Sequence, residues 1–222
     1  MWRSRSSDHL AHSLTDLMTS LMVIFILLLL VFINNEAAVN ASITDSLLAE
    51  LQRQLPAQGF HPRQISLDPK DRYSIVIVVP NDLLTFDLNK HTLKPEGESF
   101  LRTRIPKLAG ILCDPNYRNA IESVVVEGHS DATPYRGATL EESQNQNLKL
   151  SQDRSMEVVS KSLQFLMDHP EQRACMLEKI SASGRGEQDL EETADRSRRV
   201  VFKIRVNSRS EELLNRLKSV AR

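Results

Sequence analysis

The chain opens on an apolar run. From Leu17 to Ile33 there is no charge, and only Thr19 and Ser20 are polar. As a helix at about 1.5 Å per residue the run reaches roughly 26 Å, and starting it at Leu10 brings it to the thickness of a bilayer core. No polar face interrupts Met22 to Ile33, which argues against a buried amphipathic helix. A cleaved signal peptide is the competitor, because Arg3 and Arg5 precede the run and Ala37, Ala38 and Ala41 follow it. The run is longer than a signal core, however, and it extends back through Leu10 and Leu14. The pattern therefore predicts a short tail (1–9) and an uncleaved transmembrane helix (10–33). The basic residues lie before the span, and Asn34, Asn35 and Glu36 follow it. The positive-inside rule puts the N-terminus in the cytoplasm and the rest of the chain across the membrane.

Beyond the span the period changes. Val39, Ile43, Leu47, Leu51 and Leu55 recur every four residues, with Leu48 beside them, so a helix of about 15–20 residues follows within a linker over 34–69. Pro56, Gly59 and Pro62 end it. This helix reads either as an extension from the membrane that pairs with its own copy, or as a regulatory plug. Tyr73 to Val79 reads as a strand stopped by Pro80. Pro95 opens a helix whose inward face is Phe100, Leu101, Ile105, Leu108 and Leu112. Ile121 to Val126 is a second strand. Ser151 is an N-cap candidate for a helix to about Met167, with Met156, Val159, Leu163 and Leu166 inward. Short strands follow at Ile180–Ser183 and Val200–Val206. The order β-α-β-α-β-β predicts an α/β (α+β) sandwich over 70–207, with helices on one face of a mixed sheet. Glu211 and Glu212, followed by Leu213, Leu214, Leu217 and Val220, predict a C-terminal helix within 208–222.

Composition adds little. The 222 residues carry 28 basic and 29 acidic side chains, a net charge of −1, which gives no global attraction to nucleic acid. The 41% apolar fraction excludes a disordered chain. Cys113 and Cys175 have no metal-ligand spacing. Both fall on the oxidising side of the proposed topology, each beyond a long helix on one sheet face, so a disulfide between them is expected over two free thiols.

Two places carry chemistry. Asp16 sits at the N-terminal edge of the apolar run. It is either an interfacial carboxylate or an ion carrier, since a carboxylate at membrane depth favours a bound proton or a partner's polar channel. In the outer domain, Glu127-Gly128-His129-Ser130-Asp131 follows the second strand and Asn147-Leu148-Lys149-Leu150-Ser151-Gln152-Asp153-Arg154 opens the next helix. Asp131 can accept from an amine and Arg154 can clamp a carboxylate, aided by the field of a helix N-terminus. The plainer alternative is a local Asp131–Arg154 salt bridge. His129 has no nucleophile placed beside it by any motif. There is no phosphate-cradling glycine loop and no Cys/His metal set, so neither an enzyme nor a cofactor is expected.

These stretches resemble known families. Thr15-Asp16-Leu17-Met18-Thr19-Ser20-Leu21-Met22 before an apolar run resembles the membrane segment of MotB-type stator subunits, although Thr15 stands where Ala is common. That resemblance implies that Asp16 carries the translocated ion, with a proton preferred over sodium. Gly128-His129-Ser130-Asp131, Asn147-x-x-Leu150-Ser151-x-x-Arg154, Gly184-x-Gly186-Glu187 and Arg198-Arg199-Val200 resemble the OmpA-like peptidoglycan-binding domain, over about 73–206. Ser130 replaces the usual Thr, and Ser155 replaces a small Ala. The implied role of Asp131 and Arg154 is to hold the diaminopimelate of the wall peptide, with Asn147 and Arg198 in the same site. The 15 residues between Asp131 and Asn147 make a long loop, closer to MotB-type proteins. The implied partners are a pentameric MotA- or ZorA-like multi-span protein, a second copy in a dimer, peptidoglycan and the inner-membrane bilayer. The short tail and compact chain lean toward ZorB-type subunits of the Zorya anti-phage system. A flagellar MotB, a passive wall tether, a wall enzyme and a TolR- or ExbD-like energiser are the alternatives.

Overall fold

The computed structural model describes residues 5–87 and 90–207. The first element is one helix, α1 (Arg5–Gln54), where the sequence predicts two. No proline or glycine falls between its ends, so nothing breaks the backbone hydrogen-bond ladder. It begins within the expected tail. Pro56 and Gly59 stop the chain after it. Gly59 takes φ +86°, and its N–H closes a 3₁₀ turn onto the Pro56 carbonyl. Along α1, Leu14–Ile33 is a 20-residue segment of mean hydropathy 2.7, with none of it buried. At about 1.5 Å per residue it is long enough to cross a bilayer.

A compact unit spans Asn40–Asn207. It therefore begins some thirty residues before position 70, and the expected linker 34–69 is largely part of the domain. The reason is the four-residue stripe. Leu47, Leu51 and Leu55 are fully buried in the domain core, and Ile43 and Leu48 pack against it. Gln52 Nε2 donates to the Ile65 carbonyl at 2.9 Å, tying the helix to the first strand. That strand, β1 (Ile65–Asp68), lies where the sequence shows no strand pattern. It forms a hairpin with β2 (Asp71–Pro80), and the Asp68 carboxylate accepts the Lys70 N–H in the turn.

The remaining elements are α2 (Pro95–Leu112), β3 (Ile121–His129), α3 (Leu140–Gln164), α4 (Pro170–Lys179), β4 (Ile180–Gly186), the short α5 (Ala194–Ser197) and β5 (Arg199–Val206). The sheet has five strands in the order β1-β2-β5-β3-β4. Only β3 and β4 are parallel; the other neighbours are antiparallel. The α/β sandwich with a mixed sheet is thus as the element order predicts. Ile75, Ile77, Val79, Val124, Val126, Phe202 and Ile204 face the core, and the five apolar residues expected of α2 are all buried there.

The expected start of α3 is corrected, and so is one residue of its inward face, Met156; Val159 and Leu166 are buried and Leu163 packs against the core, as expected. Ser151 does not cap it. Thr139 does, in a capping box with Glu142. Met156 points outward and is 53% exposed, whereas Ser151, Ser155, Val158 and Ser162 are buried. Small side chains line this face because α3 rests almost directly on the β3–β4 backbone. A Cβ at Gly128 would collide with the Ser151 carbonyl, and one at Gly184 would lie 2.7 Å from the Gln152 nitrogen.

Cys113, just past α2, is joined by a disulfide to Cys175, with Cα atoms 6.1 Å apart. Cys175 follows the end of α3, as expected, but lies inside α4, an element the sequence reading does not contain. The expected helix in 208–222 lies outside the described residues.

Candidate functional site

The topology gathers four strand ends. β3 and β4 are parallel, so His129 and Gly186 finish side by side. β5 runs the other way, and its first residue, Arg199, pairs with both His129 and Pro80. The segments that follow β2, β3 and β4, and the one that precedes β5, therefore meet at one sheet edge. The middle of α3 crosses the same edge, and there Asn147, Ser151 and Arg154 share a helix face.

Asp131 follows β3 by two residues and is 8% exposed. Its Oδ1 accepts the Thr133 N–H at 3.0 Å, and its Oδ2 accepts from Arg198 Nη1. Burial pushes the Asp131 carboxyl up, but the Thr133 N–H and hydroxyl and the Arg198 guanidinium together hold it below its ordinary value. It is therefore an anion near neutral pH, and a carboxylate with two bonds made has lone pairs left for an incoming amine. Arg198 is itself divided, since its Nη2 donates to Asp195 Oδ1 at 3.1 Å. That arrangement fixes Asp131 more than it offers a clamp of its own.

Arg154 is 7% exposed and makes no ion pair with Asp131 among the described residues. The local salt bridge considered from the sequence is made with Arg198 instead. Arg154 Nε donates to the Lys90 carbonyl at 3.0 Å, and its guanidinium lies 5.0 Å from the centre of the Phe86 ring. Burial pushes the Arg154 pKa down, Arg198 adds to that, and Tyr135 and Asp131 oppose it. An arginine still keeps its charge. With Nε committed to the loop after β2, the two terminal nitrogens are the part of the fork left for a carboxylate. The expected helix N-terminal field does not apply, because α3 begins at Leu140, four turns before Arg154.

Asn147 is 3% exposed and holds the frame. Its Nδ2 donates to Glu187 Oε1 at 2.9 Å and, at 3.4 Å, to the Thr133 carbonyl. It links the loops after β3 and β4 through α3. Ser151 adds a second strut by accepting the Gly186 N–H at 2.9 Å. His129, also buried, places Nδ1 3.2 Å from the Gln188 carbonyl, which can only accept, so Nδ1 carries the proton of this contact. The sequence reading missed Phe86 and Lys90. They lie between β2 and α2 in a stretch with no periodicity, and only the fold brings them under Arg154.

No protein family's profile matches the chain, and no curated protein does. Among solved structures it is similar to a periplasmic domain of MotB, at 14% identity and a TM-score of 0.47, covering 71% of this chain and 73% of that one. It is also similar to the cell wall anchor of the T6SS from Pseudomonas aeruginosa, at 23% identity and a TM-score of 0.43, covering 74% and 97%. A third is the OmpA-like domain of FopA1 from Francisella tularensis subsp. tularensis SCHU S4, at 23% identity and a TM-score of 0.40, covering 64% and 80%. Likenesses this distant assign neither ligand nor activity. Those rest on the residues.

Proposed function

We propose that the chain is the wall-anchored stator subunit of an ion-driven motor in the inner membrane. The observation that carries this reading is Asp16. It lies near the start of a 20-residue apolar helix segment that is exposed throughout, inside the stator-like run Thr15 to Met22. So large an apolar surface calls for lipid or a partner's helices, and an ionisable group within it is a functional site by default. One such helix cannot enclose a pore. The reading therefore includes a pentameric MotA- or ZorA-like multi-span partner, with two copies of this chain at its centre. The N-terminus is cytoplasmic and the Asn40–Asn207 unit is periplasmic.

In this reading the sheet edge anchors the motor to peptidoglycan. Asp131 receives the side-chain amine of diaminopimelate, and the terminal nitrogens of Arg154 receive its carboxylate. Asn147 and Arg198 position the two. Within the class, the reading is the Zorya type. Only residues 34–42 separate the span from Ile43, the first residue packed on the domain core among those whose side chains are described, where flagellar stators have longer connections. Helicase or nuclease genes beside this one support that choice, and flagellar or chemotaxis genes overturn it.

The anchor is tested by pelleting the full chain, in detergent, with purified sacculi. Asp131→Ala and Arg154→Ala should each weaken binding tenfold or more, the scale of about 1.5–3 kcal/mol for a charge-assisted hydrogen bond. Unchanged pelleting of both variants would return the two residues to a purely structural role.

A further inference from the structure

Helix α4 depends on one covalent bond more than any other element does. It has ten residues, fewer than the roughly 12–15 an isolated helix needs to persist in water, so its stability comes from docking. Yet it buries only two of them, Cys175 and Met176, whereas α2 buries eight of its eighteen. Its N-cap, His169, makes no side-chain capping bond, and Leu177 is 55% exposed. Docking also carries a penalty. Gln172 Oε1 and Arg173 Nε are buried with no hydrogen-bond partner among the described residues, and each such atom opposes burial. In favour of docking stand the Met176 side chain, the bond from Lys179 Nζ to the Ile121 carbonyl at 2.8 Å, and the disulfide from Cys175 to Cys113 at the end of α2.

We propose that this disulfide is a redox-controlled fastening: the oxidised chain holds α4 closed, and the reduced chain opens at α4 while the rest of the Asn40–Asn207 unit stays folded. A dithiol reductant opens it in two exchange steps. One thiolate attacks a sulfur of the bond, and the other sulfur leaves and takes up a proton. The second thiolate of the reductant then displaces the remaining cysteine, which is protonated in turn, and the reductant ends as a cyclic disulfide. Two electrons and two protons pass to the protein. The proposal does not depend on what the sheet edge binds.

The packing also sets where the opening ends. Lys179 closes α4 and Ile180 starts β4, with no residue between them. β4 is an edge strand, paired only with β3, so residues 180–183 loosen with α4. The rest of β4 is strutted from another side. Gln152 Oε1 accepts the Gly184 N–H at 2.6 Å, and Ser151 Oγ accepts the Gly186 N–H at 2.9 Å. The site around Asp131 therefore keeps its support when α4 opens. Arg173 and Lys179, half-buried in the closed helix, then lie in an unfolded and accessible segment, the form that proteases cut. A chain whose outer domain fails to meet an oxidant is thereby open to cleavage at α4.

The test is amide hydrogen exchange on the full chain in detergent, before and after treatment with dithiothreitol. Reduction should speed exchange in α4 on the order of a hundredfold more than it speeds exchange in β3 and β5, the mark of a local opening. Cys175→Ser should show the same excess in α4 without reductant, and trypsin should cut that variant after Arg173 about tenfold faster or more than it cuts the oxidised wild type. Should the variant fail to fold, the reduced wild type carries the test alone. An equal rise in α4, β3 and β5 overturns the proposal, because the bond then stabilises the whole unit and fastens no single element. Unchanged exchange in α4 after full reduction overturns it too, by showing that packing alone holds the helix.

Discussion

Helix α1 carries two apolar stretches that end in opposite surroundings. Leu14–Ile33 is apolar on every side and exposed on every side. Leu47, Leu51 and Leu55 form one stripe, and that stripe is fully buried by its own domain. Both are rich in leucine, and both are helical. What differs is whether polar residues occupy the remaining positions of the turn. A stripe is matched by one packed surface, whereas an all-round apolar cylinder needs a solvent that is apolar on every side. The stripe also shows that neither self-pairing nor a free plug is needed to explain its period. The domain core is sufficient.

The largest expected effect falls on the buried stripe. Leu51→Ala should destabilise the Asn40–Asn207 unit by about 2–5 kcal/mol, the range for a buried leucine cut to alanine. Leu27→Ala, an equal cut in the exposed stretch, should leave the unfolding midpoint of that unit unchanged. Equal effects would mean that the two stretches share one environment. By the same argument a fragment beginning at 70 should fail to fold as the 40–207 unit does.

The next effect sharpens which side of the membrane the stripe is on. Cys113→Ser should lower stability by about 2–4 kcal/mol, since the bond closes a separation of 62 residues. In cells the two thiols should resist alkylation until reduced. Free thiols in the unreduced, denatured protein would put the domain in a reducing compartment and reverse the topology.

The smallest effect concerns pH. Because the Asp131 carboxyl is held below its ordinary value, its contribution is complete above that value and is lost only as the pH falls through the lower folded one. Sacculus binding should stay level from about pH 7 to about pH 4 and then decline. A decline between about pH 7 and pH 5 would contradict the assignment of this effect to Asp131.

Sequence periodicity exposed most of this architecture. The α2 face follows from a helical repeat, and the N-terminal apolar segment and the strands at Tyr73, Ile121, Ile180 and Val200 follow from apolar runs bounded by polar or turn residues. The misses have physical causes. β1 is four residues long and pairs on one side only, so it leaves almost no pattern. The start of α3 was legible in Thr139-Leu140-Glu141-Glu142, a capping box that precedes no apolar run. Its inward face was legible at Val159, Leu163 and Leu166 and missed at Ser151, Ser155 and Ser162, where contact with a sheet backbone selects serine over leucine. At the site, Asp131 and Arg154 were visible as motif residues. Their actual partners, Arg198 for the first and Phe86 and Lys90 for the second, depend on four strand ends meeting at one edge, and no local spacing encodes that.

The central claim is that α1 carries ions as well as anchoring the domain. Replacing the chromosomal gene with one encoding Asp16→Asn keeps the side chain's size and removes its titration. The variant should reach the membrane at wild-type level, assemble with the multi-span partner and give no motor output, measured as phage plating efficiency and as swimming. Full phage protection or full motility from Asp16→Asn would contradict the claim and leave α1 as an anchor only.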